Sequence, residues 1–296
     1  MKRQWLWLGF VALAGYRCTV ELDVPDPEGP RQLVVLAFMD CRDTSSLALV
    51  ERTFGFNDPF PTTDTTFRGK AEVSLYRQGQ VFAAFEPKAD SYYFTAQHPA
   101  IGLDSAATLS VFHPLFGLAE ATQEPPAVAS VLSARLFSDL ALPDGRVLAR
   151  ALEMRLKDSP AQDNYYEMHL GEKDSLLVDG LFLYSLEQVY ADGADSEVQS
   201  FFAPSRGARL LTDEGVDGAE IRLLFAMDGT ADALKEPYLY VRFVTQAYYS
   251  YMAYAAGSQS GGIFPAAAGQ EPYTNFSGGG LGVFALYVEE RIPIER

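Results

Sequence analysis

Short segments in which apolar and polar residues alternate follow one another along most of the chain. Side chains of an extended chain point alternately to its two faces, so such segments predict strands with one buried face. The clearest is Tyr238 to Phe243, in which Leu239 and Val241 share one face with Phe243. A near-continuous apolar run, Leu281 to Val288, predicts a strand that is covered on both sides.

Further strands are predicted on both sides of a boundary near Pro125-Pro126. Those before it are Leu33 to Phe38, Ser46 to Phe54, Ala71 to Leu75, Val81 to Phe85, Tyr92 to Thr95, Thr108 to Phe112 and Leu118 to Thr122. Those after it include Ala151 to Asp158, Asn164 to Leu170 and Ile221 to Met227, whereas Ala191 to Pro204 is acidic and predicts a loop. Short, closely spaced strands without a helical period predict a mainly β chain of two antiparallel sandwich-like domains. A barrel is the alternative for the second domain.

One short helix is predicted near residues 246–256. Thr245 occupies the position of an N-cap whose hydroxyl could accept a backbone N–H, and Gly257 can adopt the left-handed conformation that ends a helix. Apolar residues between them recur at intervals of three and four: Ala247, Tyr248, Tyr251 and Tyr254/Ala255. Their tyrosines could form a ligand platform, but the pattern favours a core helix with two or three buried rings.

Composition and charge narrow the function classes. The 296 residues suffice for one large or two ordinary domains, and 48% hydrophobic with 21% charged residues is typical of a globular protein. The formal charge is -16, and removal of the leader described below brings it to about -19. Such a polyanion repels phosphate backbones, so nucleic-acid binding is not expected.

The chain begins with an export signal. A basic head, Lys2-Arg3, precedes an apolar run that is too short to span a bilayer. Cleavage could follow Ala12-Leu13-Ala14, or lipoprotein processing could release Cys18 as the first mature residue, although Arg17 departs from the small residue usual at that position. A disulfide between Cys18 and Cys41 is a further alternative for an exported chain.

Few residues suggest chemistry. His98 and His113 each precede a proline and are interpreted as loop-end residues, and His169 is interpreted as a packed strand residue. The run Gly280 to Ala285 fits a dinucleotide fingerprint by spacing, but a predicted strand follows it instead of a helix. Ser258 and Ser260 do not form a nucleophile elbow. No catalytic residue, cofactor site or metal site is therefore predicted.

Acidic residues are plentiful, and solvated surface is their default interpretation in so acidic a chain. They include Asp104, Asp192, Asp195, Glu197, Asp213, Glu214 and Asp217. Paired acids can hydrolyse glycosides, and the segment 213–217 could hold calcium through oxygen ligands, but neither pattern is specific.

The segments quoted above resemble domain-of-unknown-function family 4249. The resemblance rests on the aromatic strand, the Tyr-Tyr-x-Tyr helix, Gly262 to Pro265, and the terminal Tyr-Thr-Asn-Phe-x-Gly-Gly-Gly-Leu-Gly-Val-Phe-Ala-Leu-Tyr of residues 273–287. Gly69 to Val73, Ala121-Thr122 and the Asn164-Tyr165-Tyr166 strand are also similar to family segments. The resemblance implies an outer-membrane-associated bacterial lipoprotein.

This resemblance sets the expected organisation and function. It implies a signal peptide over residues 1–17, lipidation of Cys18, an acidic tether over 18–30, an immunoglobulin-like sandwich over 31–126 and a β-rich domain over 127–296. The expected function is non-enzymatic, as an accessory or binding component of a TonB-dependent transporter or similar β-barrel complex. The expected location is the periplasmic or cell-surface face of the outer membrane. The alternative function is a stand-alone surface lipoprotein that binds a glycan or a peptide.

Overall fold

The alternating segments form strands, and the tyrosine-rich segment forms a helix. A computed structural model describes residues 31–53, 67, 69–89, 91–142, 145, 147–160, 163–173, 187–192, 200–203, 208–213, 218, 220–226, 235–257 and 273–296. The strands of these residues are β1 (Leu33–Asp40), β2 (Ser45–Arg52), β3 (Glu72–Arg77), β4 (Gln80–Pro87), β5 (Tyr93–Gln97), β6 (Ala107–His113), β7 (Gly117–Gln123), β8 (Ser130–Ala141), β9 (Val147–Lys157), β10 (Tyr165–Glu172), β11 (Glu187–Asp192), β12 (Ser200–Ala203), β13 (Ala208–Thr212), β14 (Glu220–Ala226), β15 (Pro237–Val244) and β16 (Leu281–Pro293). The helix is α1 (Gln246–Gly257).

The prediction of a mainly β chain with one short helix is confirmed. Four strands were not predicted: β8, β11, β12 and β13. The prediction of a loop over Ala191 to Pro204 is wrong for residues 191–192, which end β11, and for residues 200–203, which pair with β13. A four-residue strand contains too few alternations to be recognised, and β8 is mostly exposed, so its apolar positions do not mark a buried face.

Twelve strands form one sheet and four form a second. The order in the large sheet is β12-β13-β10-β15-β16-β1-β2-β5-β4-β3-β6-β7, and the order in the small sheet is β11-β14-β9-β8. Neighbouring strands are antiparallel except for β1 and β16, whose register runs in parallel from Val34–Leu281 to Asp40–Tyr287. The strand at the C-terminal end of the chain therefore lies beside the first described strand, at the centre of the large sheet.

The large sheet folds back on itself between β4 and β5. These two strands are joined through only two residue pairs, Glu86–Thr95 and Pro87–Phe94. Residues of the two layers, including Val35 and Phe94 in one and Leu75 in the other, belong to one buried cluster. The fold over β1 to β7 is therefore sandwich-like, as predicted, and β16 contributes to the same layer as β1.

The family-like stretch over residues 273–282, here called the signature segment, connects the two layers. Ser277 exchanges backbone hydrogen bonds with Glu120 on the edge strand β7, at 2.8 and 3.3 Å. Asn275 uses its amide as both donor and acceptor to the backbone of Phe284, at 2.7 and 3.0 Å. The sequence motif is thus explained by its structural role in tying β7 to β16.

Close packing dictates the last glycine of the signature segment. Gly282 has a φ of 109°, and a Cβ built there would lie 2.0 Å from the carbonyl oxygen of Val35. Only glycine adopts this backbone region without strain and leaves room for the neighbouring strand. The parallel ladder between β1 and β16 thus requires glycine at this position.

The helix α1 covers the outer face of the large sheet near β16, β1 and β10. Tyr248 and Tyr251 are buried with Val283 and Ala285, which confirms the interpretation of a core helix with two buried rings. Phe284 and Leu286 point to the opposite, equally buried face, so β16 is covered on both sides as predicted. No helix in the described part of the chain is long and apolar enough to cross a membrane.

The proposed cap of α1 is only partly correct. Thr245 occupies the N-cap position, since its carbonyl accepts the N–H of Tyr249 at 3.1 Å. Its hydroxyl, however, is buried and has no hydrogen-bond partner among the described residues. The cap hydrogen bond predicted from the sequence is therefore absent among the described residues.

The small sheet packs against the other half of the large sheet. Leu152 and Phe225 of the small sheet share the buried cluster with Val241 and Phe243 of β15. Apart from Arg31, the described residues all belong to one compact unit. The domain boundary at residues 126 and 127 stays a prediction.

We predict that Gly282→Ala destabilises the protein by about 3 to 5 kcal/mol, because it adds backbone strain and a collision with Val35. Gly279→Ala is the matched control: its φ is also positive, at 87°, but a Cβ there meets open space. The control should cost only about 1 kcal/mol. Urea unfolding of the two purified variants measures the difference, and equal losses would contradict the proposed close approach.

Candidate functional site: a buried ion network beneath the helix

Charged side chains form a row across three neighbouring strands beneath α1. Glu167 of β10 lies directly opposite Arg242 of β15, which in turn lies opposite Glu289 of β16. These residues lie on the face of the sheet that α1 covers, whereas their neighbours Met168, Val241 and Val288 face the main core. Register alone therefore brings two carboxylates to either side of one guanidinium.

Short contacts join the three groups. Arg242 Nη1 lies 3.1 Å from Glu167 Oε2, and Arg242 Nε donates to Glu289 Oε2 at 3.0 Å. The Glu167 side chain is completely buried, and those of Glu289 and Arg242 are 8% and 13% exposed. Arg291, at 53% exposure, contacts the second oxygen of Glu289 at 3.2 Å. The network therefore runs from the interior to the surface.

Aromatic groups surround the network. The hydroxyl of Tyr248 donates to Glu167 Oε2, so the helix is attached to the charged row. Tyr287 places its ring under the Arg242 guanidinium, 4.9 Å from ring centroid to Cζ. His169 Nε2 lies 3.3 Å from Glu167 Oε1. His169 was interpreted as a packed strand residue, and the structure adds that it packs against a buried carboxylate.

Burial and charge oppose each other at Arg242. Burial lowers the pKa of Arg242, but Tyr248, Glu167, Tyr287 and Glu289 outweigh this effect and raise the pKa above its ordinary value. The guanidinium therefore stays charged. At the end of β1, burial raises the pKa of Asp40, and the nearby Glu289 carboxylate adds to the increase.

The ion network is suited to a structural role, because it joins three strands of the sheet to the helix above them. Each carboxylate of the row is adjacent to Arg242, and Tyr248 donates its hydroxyl proton to Glu167. Burying ions is costly unless they are paired and hydrogen-bonded, and here they are both. We infer that the row fixes the register of β10, β15 and β16 and the position of α1 above them.

A second buried polar cluster lies where β9 and β13 end and β10 begins. Asp158 accepts from the Tyr166 hydroxyl at 2.5 Å and from the N–H of Gly218 at 2.9 Å. Asn164 links the two acids, since its amide nitrogen donates to Asp158 at 2.8 Å and to Asp213 at 2.9 Å. Asp158 and Asp213 are 2% and 3% exposed, so a pair of carboxyl groups is buried side by side.

The neighbouring acids change the protonation of this cluster. Burial raises the pKa of Asp213 to about 6; hydrogen bonds from Asn164 oppose the increase, and the adjacent Asp158 adds to it. Burial also raises the pKa of Tyr166, and its hydrogen bond to Asp158 adds to that increase. Like charges this close disfavour double ionisation, so the pair retains a proton well above the usual range of an aspartate.

The three histidines do not meet. His98 follows β5 and bonds through Nε2 to the Ser46 hydroxyl at 2.8 Å. His113, at the end of β6, is buried and stacks on Phe67 with 4.6 Å between ring centroids. Both positions agree with the interpretation of loop-end residues. In the described ranges, no three His, Cys, Asp or Glu side chains are placed to hold a metal ion.

Other sequence candidates are dispersed. Asp104 is an exposed partner of Arg77, and Cys41 is a buried free thiol whose pKa burial raises to about 12. Strand β16 occupies most of the run Gly280 to Ala285, in agreement with the rejection of a dinucleotide fingerprint.

Several candidates lie outside the described residues: Cys18, the signal peptide and tether, Gly262 to Pro265, Ser258, Ser260, Asp195, Glu197, Glu214 and Asp217. Asp192 is the last residue of β11, and its side chain is not among those that the structure describes.

Sequence reasoning did not identify the ion network. One signal was available: Arg242 interrupts an otherwise apolar and aromatic strand, on the face opposite Leu239, Val241 and Phe243. A charge at the centre of such a strand is expected to have a buried partner. Its partners, 75 and 47 residues away, could not be identified by spacing.

The folded sheet, the small second sheet and the helix define a mainly β protein of sandwich-like architecture. The chain belongs to the family named Domain of unknown function (DUF4249), whose sequence model matches residues 18–292. The resemblance noted in the sequence is therefore confirmed. No curated protein matches the chain.

The solved structures that match the chain are distant in both sequence and fold. Collagen adhesin from S. aureus shares 9% identity and has a TM-score of 0.23, covering 89% of this chain and 94% of its own. A structure of manganese lipoxygenase of Gaeumannomyces graminis with part of zonadhesin of Komagataella pastoris has 10% identity and a TM-score of 0.23. The match covers 91% of this chain and 94% of that chain. Titin domains z1z2 in complex with telethonin have 11% identity and a TM-score of 0.18. The match covers 90% of this chain and 98% of that chain.

We predict that Arg242→Met lowers the free energy of unfolding by about 3 to 5 kcal/mol, because it leaves the buried Glu167 without its arginine and Glu289 with only the exposed Arg291. Arg291→Met removes an exposed arginine from the same Glu289 and should cost less than about 1 kcal/mol. Chemical denaturation of both variants tests this difference. A loss below 1 kcal/mol for Arg242→Met would contradict the structural role of the network.

The buried acid pair predicts a pH dependence of stability. The folded protein favours protonated Asp213. The contribution of this proton to the free energy of unfolding is therefore complete below pH 3.8 and is lost as the pH rises through about 6. Asp213→Asn removes the titrating group, so its free energy of unfolding relative to the wild type should rise by up to about 3 kcal/mol between pH 4 and pH 7. Urea unfolding at the two pH values measures this, and a difference that does not change with pH would refute the assignment.

Proposed function

We propose that the protein is a non-enzymatic lipoprotein of the outer membrane, acting as an accessory or binding component of a TonB-dependent transporter or a similar β-barrel complex. The observation that carries the proposal is the position of Cys18. It stands directly behind the predicted export signal, and the family match begins at this same residue. A cysteine at that position is the attachment point of a lipid in exported bacterial lipoproteins.

The sequence after Cys18 supports a tethered arrangement. Residues 18–30 read CTVELDVPDPEGP, in which three prolines and several acids favour an extended, self-repelling spacer. Such a spacer would let the folded part reach a neighbouring protein while the lipid stays in the bilayer. The strong negative charge favours a partner with a basic or neutral surface.

The buried ionisable groups support binding more than catalysis. In the network beneath α1, Arg242 neutralises the acids on both of its sides, and the Tyr248 hydroxyl donates a hydrogen bond to Glu167. In the second cluster, Asn164 and Tyr166 donate to Asp158 from within the core. Groups engaged in this way stabilise the protein and are poorly placed to transfer protons to a substrate.

We predict that Cys18→Ser abolishes incorporation of radiolabelled palmitate and releases the protein from the membrane fraction. Cys41→Ser is the matched control, because Cys41 is buried and should leave labelling and fractionation unchanged. Labelling that persists in Cys18→Ser would contradict the anchor. Loss of labelling in both variants would point to a general export defect and would be checked by the amount of precursor.

The partner is tested by gentle solubilisation of membranes from the native host and purification of the tagged full-length protein. Mass spectrometry should identify a β-barrel outer-membrane protein in near-stoichiometric amount. The Cys18→Ser variant should recover less of that partner, because it no longer shares its membrane. Recovery of the tagged protein alone would count against the accessory role.

A further inference from the structure

An open cavity of about 480 Å³ lies on the outward face of β3, β6 and β7, apart from both buried clusters. The opposite face of these strands carries the core residues Leu75, Leu109 and Ala121. The volume is within the range of small-molecule sites.

Register places polar side chains together in it. Tyr76 of β3 lies opposite Thr108 of β6, and Thr108 lies opposite Thr122 of β7 with 2.8 Å between the two hydroxyl oxygens. Glu120, two residues before Thr122 on the same face of β7, also lines the cavity. An aromatic ring, hydroxyl groups and a carboxylate therefore face one space.

The walls of the cavity are held in place. One wall is the tight turn Gln78-Gly79, in which both residues have positive φ, 52° and 73°. The other includes Ser105, whose hydroxyl accepts from Arg77 Nε at 2.8 Å, and Arg77 also contacts Asp104. Because Arg77 adjoins the turn and binds the opposite loop, it fixes both walls. A preformed cavity of this kind loses little entropy on binding.

Charge restricts the ligand. Among the described residues that line the cavity, Glu120 carries the only formal charge, and Arg77 directs its guanidinium toward Asp104 and Ser105. The chain as a whole is strongly negative. Phosphate, sulfate and carboxylate ligands would meet repulsion here. A neutral ligand rich in hydroxyl groups would find donors and acceptors in the hydroxyl, amide and carboxylate groups of the lining.

A peptide strand is disfavoured at this place. Peptides often bind by adding a strand to a free sheet edge. Here the edge of β7 is already occupied at Glu120, whose backbone exchanges hydrogen bonds with Ser277 of the signature segment. Recognition in the cavity must therefore depend on side chains, which suits a sugar ring more than a peptide backbone.

We propose that this cavity binds a neutral saccharide. Tyr76 offers its ring to the apolar face of a sugar, while Thr108, Gln78 and Glu120 hydrogen-bond to sugar hydroxyl groups. The proposal depends on neither the lipid anchor nor a transporter partner. Loss of saccharide binding would leave palmitate labelling and partner recovery unchanged, so the two proposals fail independently.

The test uses purified full-length protein in detergent on an array of neutral and sulfated microbial, plant and host oligosaccharides. At least one neutral saccharide should bind, and its affinity is then measured by isothermal titration calorimetry. Tyr76→Ala and the isosteric Glu120→Gln should each raise the Kd by about tenfold. Circular dichroism and the melting temperature establish that both variants are folded.

Tyr93→Ala is the control, since Tyr93 is an exposed tyrosine on β5, outside the cavity, and should leave the Kd unchanged. Three results would overturn the proposal: no neutral saccharide bound, binding only of sulfated saccharides, or binding that Tyr76→Ala and Glu120→Gln leave intact. If Tyr76→Ala alone fails to fold, Glu120→Gln decides the outcome.

Discussion

The parallel ladder between β1 and β16 is the interaction on which the other layers depend. Its strands are covered on one face by the folded-over sheet and on the other by α1, so residues of both faces are buried. Continuous backbone pairing of this kind requires close approach, which Gly282 permits beside Val35. The signature segment, which leads into β16, joins this strand to the edge of β7 through Ser277 and Glu120. The motif that marks the family is thus explained by sheet closure, without invoking a ligand.

The ion network adds specificity to this framework. Paired ions in a protein interior contribute little net stability compared with well-packed apolar groups of the same size. Their benefit is that few alternative arrangements satisfy them. If β10 shifted by one residue against β15, Glu167 would lose Arg242 and face the apolar core. We interpret the row from Glu167 to Glu289 as a device that selects one register and one position of the helix.

Local patterns predicted the strands and the helix, but not their partners. Alternation in Tyr238 to Phe243 shows which side chains are buried, and the apolar run at Leu281 indicates cover on both faces. Neither pattern identifies the neighbouring strand, so the parallel pairing with β1 was not predicted. Strand β8 was missed because it is largely exposed. The contacts of Arg242 and the loss of the Thr245 cap depend on tertiary packing, which spacing along the chain does not encode.

Pairing between distant segments also determines when the fold can form. Gln32 and Gly279, which share a hydrogen bond beside the central ladder, are 247 residues apart. A topology rich in such non-local contacts folds slowly, because a long loop must close before these contacts stabilise it. Strand β1 can therefore pair with β16 only after almost the whole polypeptide has been synthesised.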